Sequence, residues 1–204
     1  MYLTLVALFT LSLACFGQEQ QKSDLNEPEP IEALAAGVLV CVIPDYAEKL
    51  KILEGELAKI NSPARSKRLK KLIDQTKLDR DQFKKELTSA MDSLYDFSKV
   101  VYIPSSDLTG FVSSEDPIIP HQGDVIEAGD QVFFLIRGPV ESGADALIIT
   151  DDNLNALGRP YPYYVRLQGI ASLFESFFSP GDQWKGMEKT IEKLNERLHR
   201  YLSN

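Results

Sequence analysis

Four aspartates follow aliphatic runs in this chain: Asp45 after "VIP", Asp107 after "YIPSS", and the pair Asp151 and Asp152 after "IIT". If those runs were parallel neighbours in a sheet, their carboxylates would meet at its carboxyl edge, where open α/β folds place ligands. Clustered carboxylates suit a hard cation such as Mg²⁺ and therefore metal-assisted hydrolysis. The plainer reading is that Asp and Ser after strands cap helices and shape turns. Asp45, three residues ahead of Glu48, already fits a capping box.

A nucleophilic triad has weaker support. Ser105, Ser106, Asp107 and His121 share one loop, but no G-x-S-x-G elbow presents a nucleophile. His121 and His199 lie far apart and give no zinc spacing, and no cofactor is expected.

A second chemistry-bearing stretch is "GRPYPYYVR", with Arg159, Tyr161, Tyr163, Tyr164 and Arg166. Pro160 and Pro162 hold the approach extended, as at an edge strand or its lead-in. Alternation then sets Tyr163 and Val165 on one face and Tyr164 and Arg166 on the other. An aromatic plane beside a guanidinium can hold an anionic or sugar-like ligand, so Arg159, Tyr161, Tyr164 and Arg166 are candidate binding residues. A strand guanidinium must reach solvent or find an acid, and Asp151 and Asp152 are the nearest acids in sequence. The basic run "RSKRLKK" (65–71) could touch anionic head groups, but it reads as a solvated helix face that Asp74, Asp79 and Asp81 balance.

The elements that must position these residues are legible from periodicity. "GVLVCVI" (37–43) is an unbroken apolar run, the pattern of a strand covered on both faces. Apolar residues then recur at Tyr46, Leu50, Leu53, Leu57 and Ile60. "NSP" (61–63) interrupts, with Ser62 as N-cap and Pro63 at the first helical position. The same four-three spacing resumes from about Pro63 to Phe97, through Leu69, Ile73, Thr76, Arg80, Phe83, Leu87, Ala90 and Leu94. Shared spacing on consecutive helices predicts an antiparallel helical hairpin, and the polar pair Thr76 and Arg80 predicts a break or exposed stretch near 76–82. The longer helix should extend over the sheet, with the terminal helix supporting the sheet elsewhere.

"KVVYIP" (99–104) closes a strand–helices–strand unit and should run parallel to the first strand. An irregular connection spans 105–130. "QVFFLIRG", "DALIIT" and "YYVRLQ" follow as strands, the first two joined by the hairpin-like "PVESGA". "SLFESFF" reads as a short helix. Met187, Ile191, Leu194, Leu198 and Tyr201 mark a docking face on the last helix. The expected fold is α/β: a single mixed-sheet domain over 37–204 with a long helical hairpin crossover and a C-terminal helix.

Ahead of it, "MYLTLVALFTLSLACFG" (1–17) has the apolar run and small residues of an export signal, too short for a transmembrane helix. Cleavage after Gly17 would leave Gln18 as the terminus. "LSLAC" also resembles a lipobox, with Cys15 lipidated and cleavage before it. Residues 18–36, charged and Pro-containing, read as a flexible tether. Roughly 190 residues remain after either cut, enough for a substantial core, with no transmembrane helix in the mature chain. Cys41 is then the one thiol beyond Cys15, flanked by β-branched residues as a buried inert thiol is. A net charge of −8 argues against nucleic-acid binding, which needs a basic field.

The segment "ALIITDDNLNALGRPYPYYVRLQG", the strand–hairpin–strand opening and the "KLNERLHRYL" ending resemble a family of exported bacterial proteins of unknown function. These are envelope proteins of Bacteroidetes type that carry a P-[FY]-P-Y-Y-V-R segment. The resemblance implies an envelope protein of one α/β domain and carries over no activity or catalytic residue. The expectation is therefore a non-enzymatic exported protein, periplasmic or lipid-anchored, that binds an envelope partner or ligand. The alternative is a metal-dependent hydrolase built on Asp45, Asp107, Asp151 and Asp152.

Overall fold

The computed structural model describes residues 29–113, 122–123, 126–127, 129–167, 184 and 186–204. The expected export signal, most of the expected tether, His121 and "SLFESFF" lie outside them. Helix α1 (Pro30–Ala36) leads into β1 (Val38–Ile43); α2 (Ala47–Lys59) and α3 (Pro63–Leu94) follow, then β2 (Lys99–Pro104) and α4 (Leu108–Ser113). After β3 (Gln122–Gly123) come β4 (Val132–Pro139), β5 (Asp145–Thr150), β6 (Tyr164–Arg166) and α5 (Met187–Leu202). The strands form one mixed sheet in the order β3-β2-β1-β4-β5-β6. β1 is parallel to both β2 and β4, while β3, β5 and β6 each run antiparallel to their inner neighbour. The α/β class, the long helix, the hairpin crossover and the parallel first pair agree with the sequence reading.

Every residue of β1 is buried, because helices or loops cover both faces of the sheet. Leu39, Cys41 and Ile43 face a large core with Tyr102, Phe133, Leu135, Leu147 and Ile149, covered by α1, α3 and α5. Val38, Val40 and Val42 face a smaller one with Val101, Ile103 and Phe134, against which Leu108 and Phe111 of α4 pack. Burial of the Cys41 thiol, with Asp92 adding to it, pushes its pKa up, as an inert core thiol requires.

Several expectations need correction. The end of the expected tether is folded: Ile31 and Leu34 of α1 are fully buried, since they share a helical face turned to the core. A close approach fixes the junction that follows. A Cβ at Gly37 would lie 2.3 Å from the Gln131 carbonyl oxygen and 2.9 Å from that of Ala33. The terminal helix does not support the sheet elsewhere. It lies on the same face as α3, burying Ile191, Leu194 and Leu198 in the same core as Phe83 and Leu87.

Helix α3 is also unbroken through 76–82, although Leu78 and Asp81 within that stretch are exposed as expected. Thr76 is buried and donates its hydroxyl to the Leu72 carbonyl at 2.8 Å, so a polar seam residue is accommodated without interrupting the helix. The hairpin forms, with Lys77 paired to Glu54 at 2.9 Å, but Leu50 is the sole buried residue of α2. The connection after β2 is more regular than expected, because α4 occupies its first part.

Candidate functional site

β1 and β2 end side by side on matching Ile-Pro pairs, Ile43-Pro44 and Ile103-Pro104. From there the chain diverges: β1 leads into α2 and α3 on the large-core face, β2 into α4 on the other. Divergent exits from adjacent parallel strands leave a gap at the carboxyl edge, the topological switch point at which open α/β sheets bind ligands. A crevice of about 460 Å³ occupies it, floored by the two Ile-Pro pairs and Tyr102 and walled by Asp45, Arg80, Asp81 and Lys84. That volume falls within the range of small-molecule sites, roughly 300–1,000 Å³.

Asp45 ties the two strand ends together. Its Oδ1 accepts from the Ala47 N–H at 3.1 Å and from Ser105 Oγ at 3.0 Å, and its Oδ2 accepts from the Ser106 N–H at 3.2 Å. Its own N–H donates to Ser105 Oγ at 3.1 Å. Partial burial works to raise the carboxyl pKa, but the hydrogen bonds from Ser106, Ala47 and Ser105 together hold it below the ordinary value. The expected capping box is not what forms. Tyr46 is the N-cap of α2, without a side-chain capping bond, and sits in the left-handed region at φ 53°. A non-glycine residue held there persists only where its surroundings over-determine it, and such strain clusters at functional sites.

The surroundings that hold Tyr46 lie on the β4 side of β1. Arg137 Nη1 donates to the Tyr46 hydroxyl at 2.9 Å, and that hydroxyl donates to Asp79 Oδ2 at 3.1 Å. Asp79 Oδ1 accepts from Trp184 Nε1 at 3.0 Å. Arg137 also clasps Asp145, with Nε at 2.9 Å and Nη2 at 2.8 Å from one carboxylate oxygen. Its guanidinium carbon lies 4.6 Å from the Trp184 ring centroid and 5.5 Å from that of Phe83. Burial opposes its charge, yet Asp145, Tyr46 and Asp79 more than offset that and raise its pKa. The Tyr46 phenol is raised as well, by burial and Asp79 against the pull of Arg137.

No protein-family profile, no curated protein and no solved structure matches the chain. The chemistry of the site therefore rests on its own residues.

The four aspartates do not converge. Asp45 and Asp107 both lie at the carboxyl edge, linked through Ser106, whose Oγ donates to Asp107 Oδ1 at 3.0 Å. Asp151 and Asp152 lie at the opposite edge, because β5 is antiparallel to β4 and sets Thr150 beside Phe134. The register places Asp151 level with Leu39, roughly 20 Å from Asp45 along the strand direction. The loop after β5 uses these acids itself: Asp151 accepts from the N–H groups of Asn153 at 3.0 Å and Asn155 at 2.7 Å, and Asp152 from Asn153 Nδ2 at 2.7 Å. Among the described residues no group of three or more His, Cys, Asp or Glu side chains is placed to hold a metal ion. The four aspartates therefore form no common site.

The tyrosine–arginine segment finishes the far side of the sheet. Tyr161 packs on the core and on Tyr201, with ring centroids 5.5 Å apart. Tyr163 and Tyr164 stack edge-on at 5.0 Å, and Arg197 Nη1 reaches the Tyr164 carbonyl at 3.3 Å. Arg166 is exposed and reaches Ser142 Oγ at 3.4 Å rather than either expected aspartate. Arg159 is exposed beside the cis bond to Pro160. Arg80 and Lys84, which wall the crevice, escaped the sequence reading as site residues. Their one signal was Arg80 itself, a charge on an apolar seam.

Proposed function

We propose that this chain is a non-enzymatic exported protein of the cell envelope whose role is to bind a ligand in the crevice at the carboxyl edge of β1 and β2. The observation that carries the reading is the junction itself. Two adjacent parallel strands part to opposite faces over an open gap, and the residue beginning the helix above it, Tyr46, is strained and locked. The export signal read over 1–17 and the tether behind it support the envelope address. Among the described residues no helix is long and apolar enough to cross a membrane.

Soaking a broad set of small fragments into crystals of the mature protein tests the binding role. Hits should concentrate between Asp45 and the α3 residues Arg80 and Lys84; a set that leaves this crevice empty while occupying other surfaces overturns the reading. Mass spectrometry of the mature protein tests the address. A diacylglyceryl group on Cys15 gives a lipid anchor, which Cys15→Ser should release from the membrane fraction. A terminus at Gln18 gives a periplasmic protein, and an intact Met1 terminus in the cytosol overturns export.

A further inference from the structure

We infer that the ligand of this crevice is a small organic anion, a carboxylate or phosphate monoester on a short apolar body. The inference rests on the crevice being the binding site and deepens that reading. It follows from which polar groups around the gap are already engaged.

The less exposed of the two acids lining the crevice is largely engaged already. Asp45 already accepts hydrogen bonds on both carboxylate oxygens from Ala47, Ser105 and Ser106, leaving it little acceptor capacity for a ligand donor or cation. The cations are open. Arg80 commits only Nε, to Asp81 at 2.8 Å, and its terminal Nη groups have no partner among the described residues. Lys84, four residues on and therefore one turn along the same face of α3, commits none of its ammonium donors among them. Asp81 sits at the exposed mouth, 63% accessible, where water screens its charge.

The open hydrogen-bonding capacity of the crevice is thus donor capacity carrying positive charge, one helical turn in extent. A planar carboxylate or a phosphate matches it. The floor between the two cations and the strand ends is apolar: Pro44, Pro104 and the edge of Ile43. A ligand that were only an inorganic ion would leave this floor wet, so an apolar body belongs to the fit.

The test titrates the ¹⁵N-labelled mature protein with hexanoate, n-butyl phosphate and neutral 1-hexanol. Hexanoate or butyl phosphate should move the amide resonances of Asp45, Tyr46, Ser105 and Ser106, and whichever binds more tightly names the head group. Arg80→Gln with Lys84→Gln should weaken that binding about tenfold or more, the loss of charge-assisted hydrogen bonds, at an unchanged melting temperature. If 1-hexanol binds the crevice as well as the anions do, and the double variant changes nothing, the crevice stands and the anion is wrong. If no probe moves these amides, the crevice reading fails and the inference with it. If the anions instead move only the amides of the basic run 65–71, charge alone attracted them and the inference is also overturned.

Discussion

The two flanks of the carboxyl end of β1 are built from similar parts and finish differently. On the β4 side Arg137 meets Asp145, Tyr46 and the faces of Trp184 and Phe83, so its donors and its flat surface are engaged together. On the β2 side Arg80 meets Asp81 through one nitrogen and stands beside Lys84, which has no partner among the described residues. A guanidinium with its edges and face engaged fixes structure, whereas one bonded through a single nitrogen beside a gap retains capacity for a ligand. Tyr46 joins the flanks. Its strained backbone begins the helix above the crevice, while its hydroxyl belongs to the closed network.

The comparison breaks most sharply at Arg137. Replacing it with Met keeps the stem but leaves Asp145 and the Tyr46–Asp79 pair short of a donor. The side chain is 24% exposed and Asp145 44%, so the cost falls below that of a fully buried pair, about 2–3 kcal/mol. Urea denaturation should show that loss with an unchanged denaturant slope. A loss under about 0.5 kcal/mol would mean that the network is a surface ornament and that the two flanks do not differ.

A smaller, pH-dependent effect sharpens the other flank. The folded pKa of Asp45 is depressed, so its carboxylate stabilises the fold above its unfolded pKa, about 3.9, and that contribution is lost as pH falls through the folded value. Asp45→Asn should therefore cost about 1 kcal/mol near neutral pH. The gap between variant and parent should shrink below about pH 4. An equal gap at pH 7 and pH 3 would show that shape rather than charge ties Ser105 and Ser106 to β1.

What the sequence could show follows from which forces act locally. The apolar run at Val38–Ile43 requires cover on both faces wherever it lies, so β1 and its burial were legible. The parallel partner followed from the helical crossover. The failure at Asp151 was avoidable in principle. Strands joined by so tight a turn, with Val140 N–H donating to the Ala144 carbonyl at 3.0 Å and Gly143 at φ 75°, run antiparallel, which sends the following acids to the other edge. Arg80 and Lys84 were harder. Helical phase tells which residues share a face, but not the level at which a long helix crosses a sheet, and that level is set by Phe83 and Leu87 finding the core. The acids expected to balance the basic run were likewise drawn elsewhere: Asp79 to the tertiary partners Tyr46 and Trp184, and Asp81 to its sequence neighbour Arg80.

The smallest effect is expected at the other candidate, Arg166. On an edge strand beside buried Val165, its guanidinium extends into solvent and its one hydrogen bond among the described residues is a long contact to Ser142. An exposed side chain with such a contact contributes little, because water replaces what is lost. Arg166→Ala should shift stability by no more than about 0.5 kcal/mol, and fragment binding in the crevice beside Asp45 should be unchanged. This sharpens the contrast, since three arginines, two on the sheet and one on α3, would then grade from locked, through part-open, to free. A loss near that of Arg137→Met would instead place a second structural arginine at the sheet edge. An unchanged fold with lost capture of an envelope partner would return the tyrosine–arginine strand to the candidate sites, as a surface separate from the crevice.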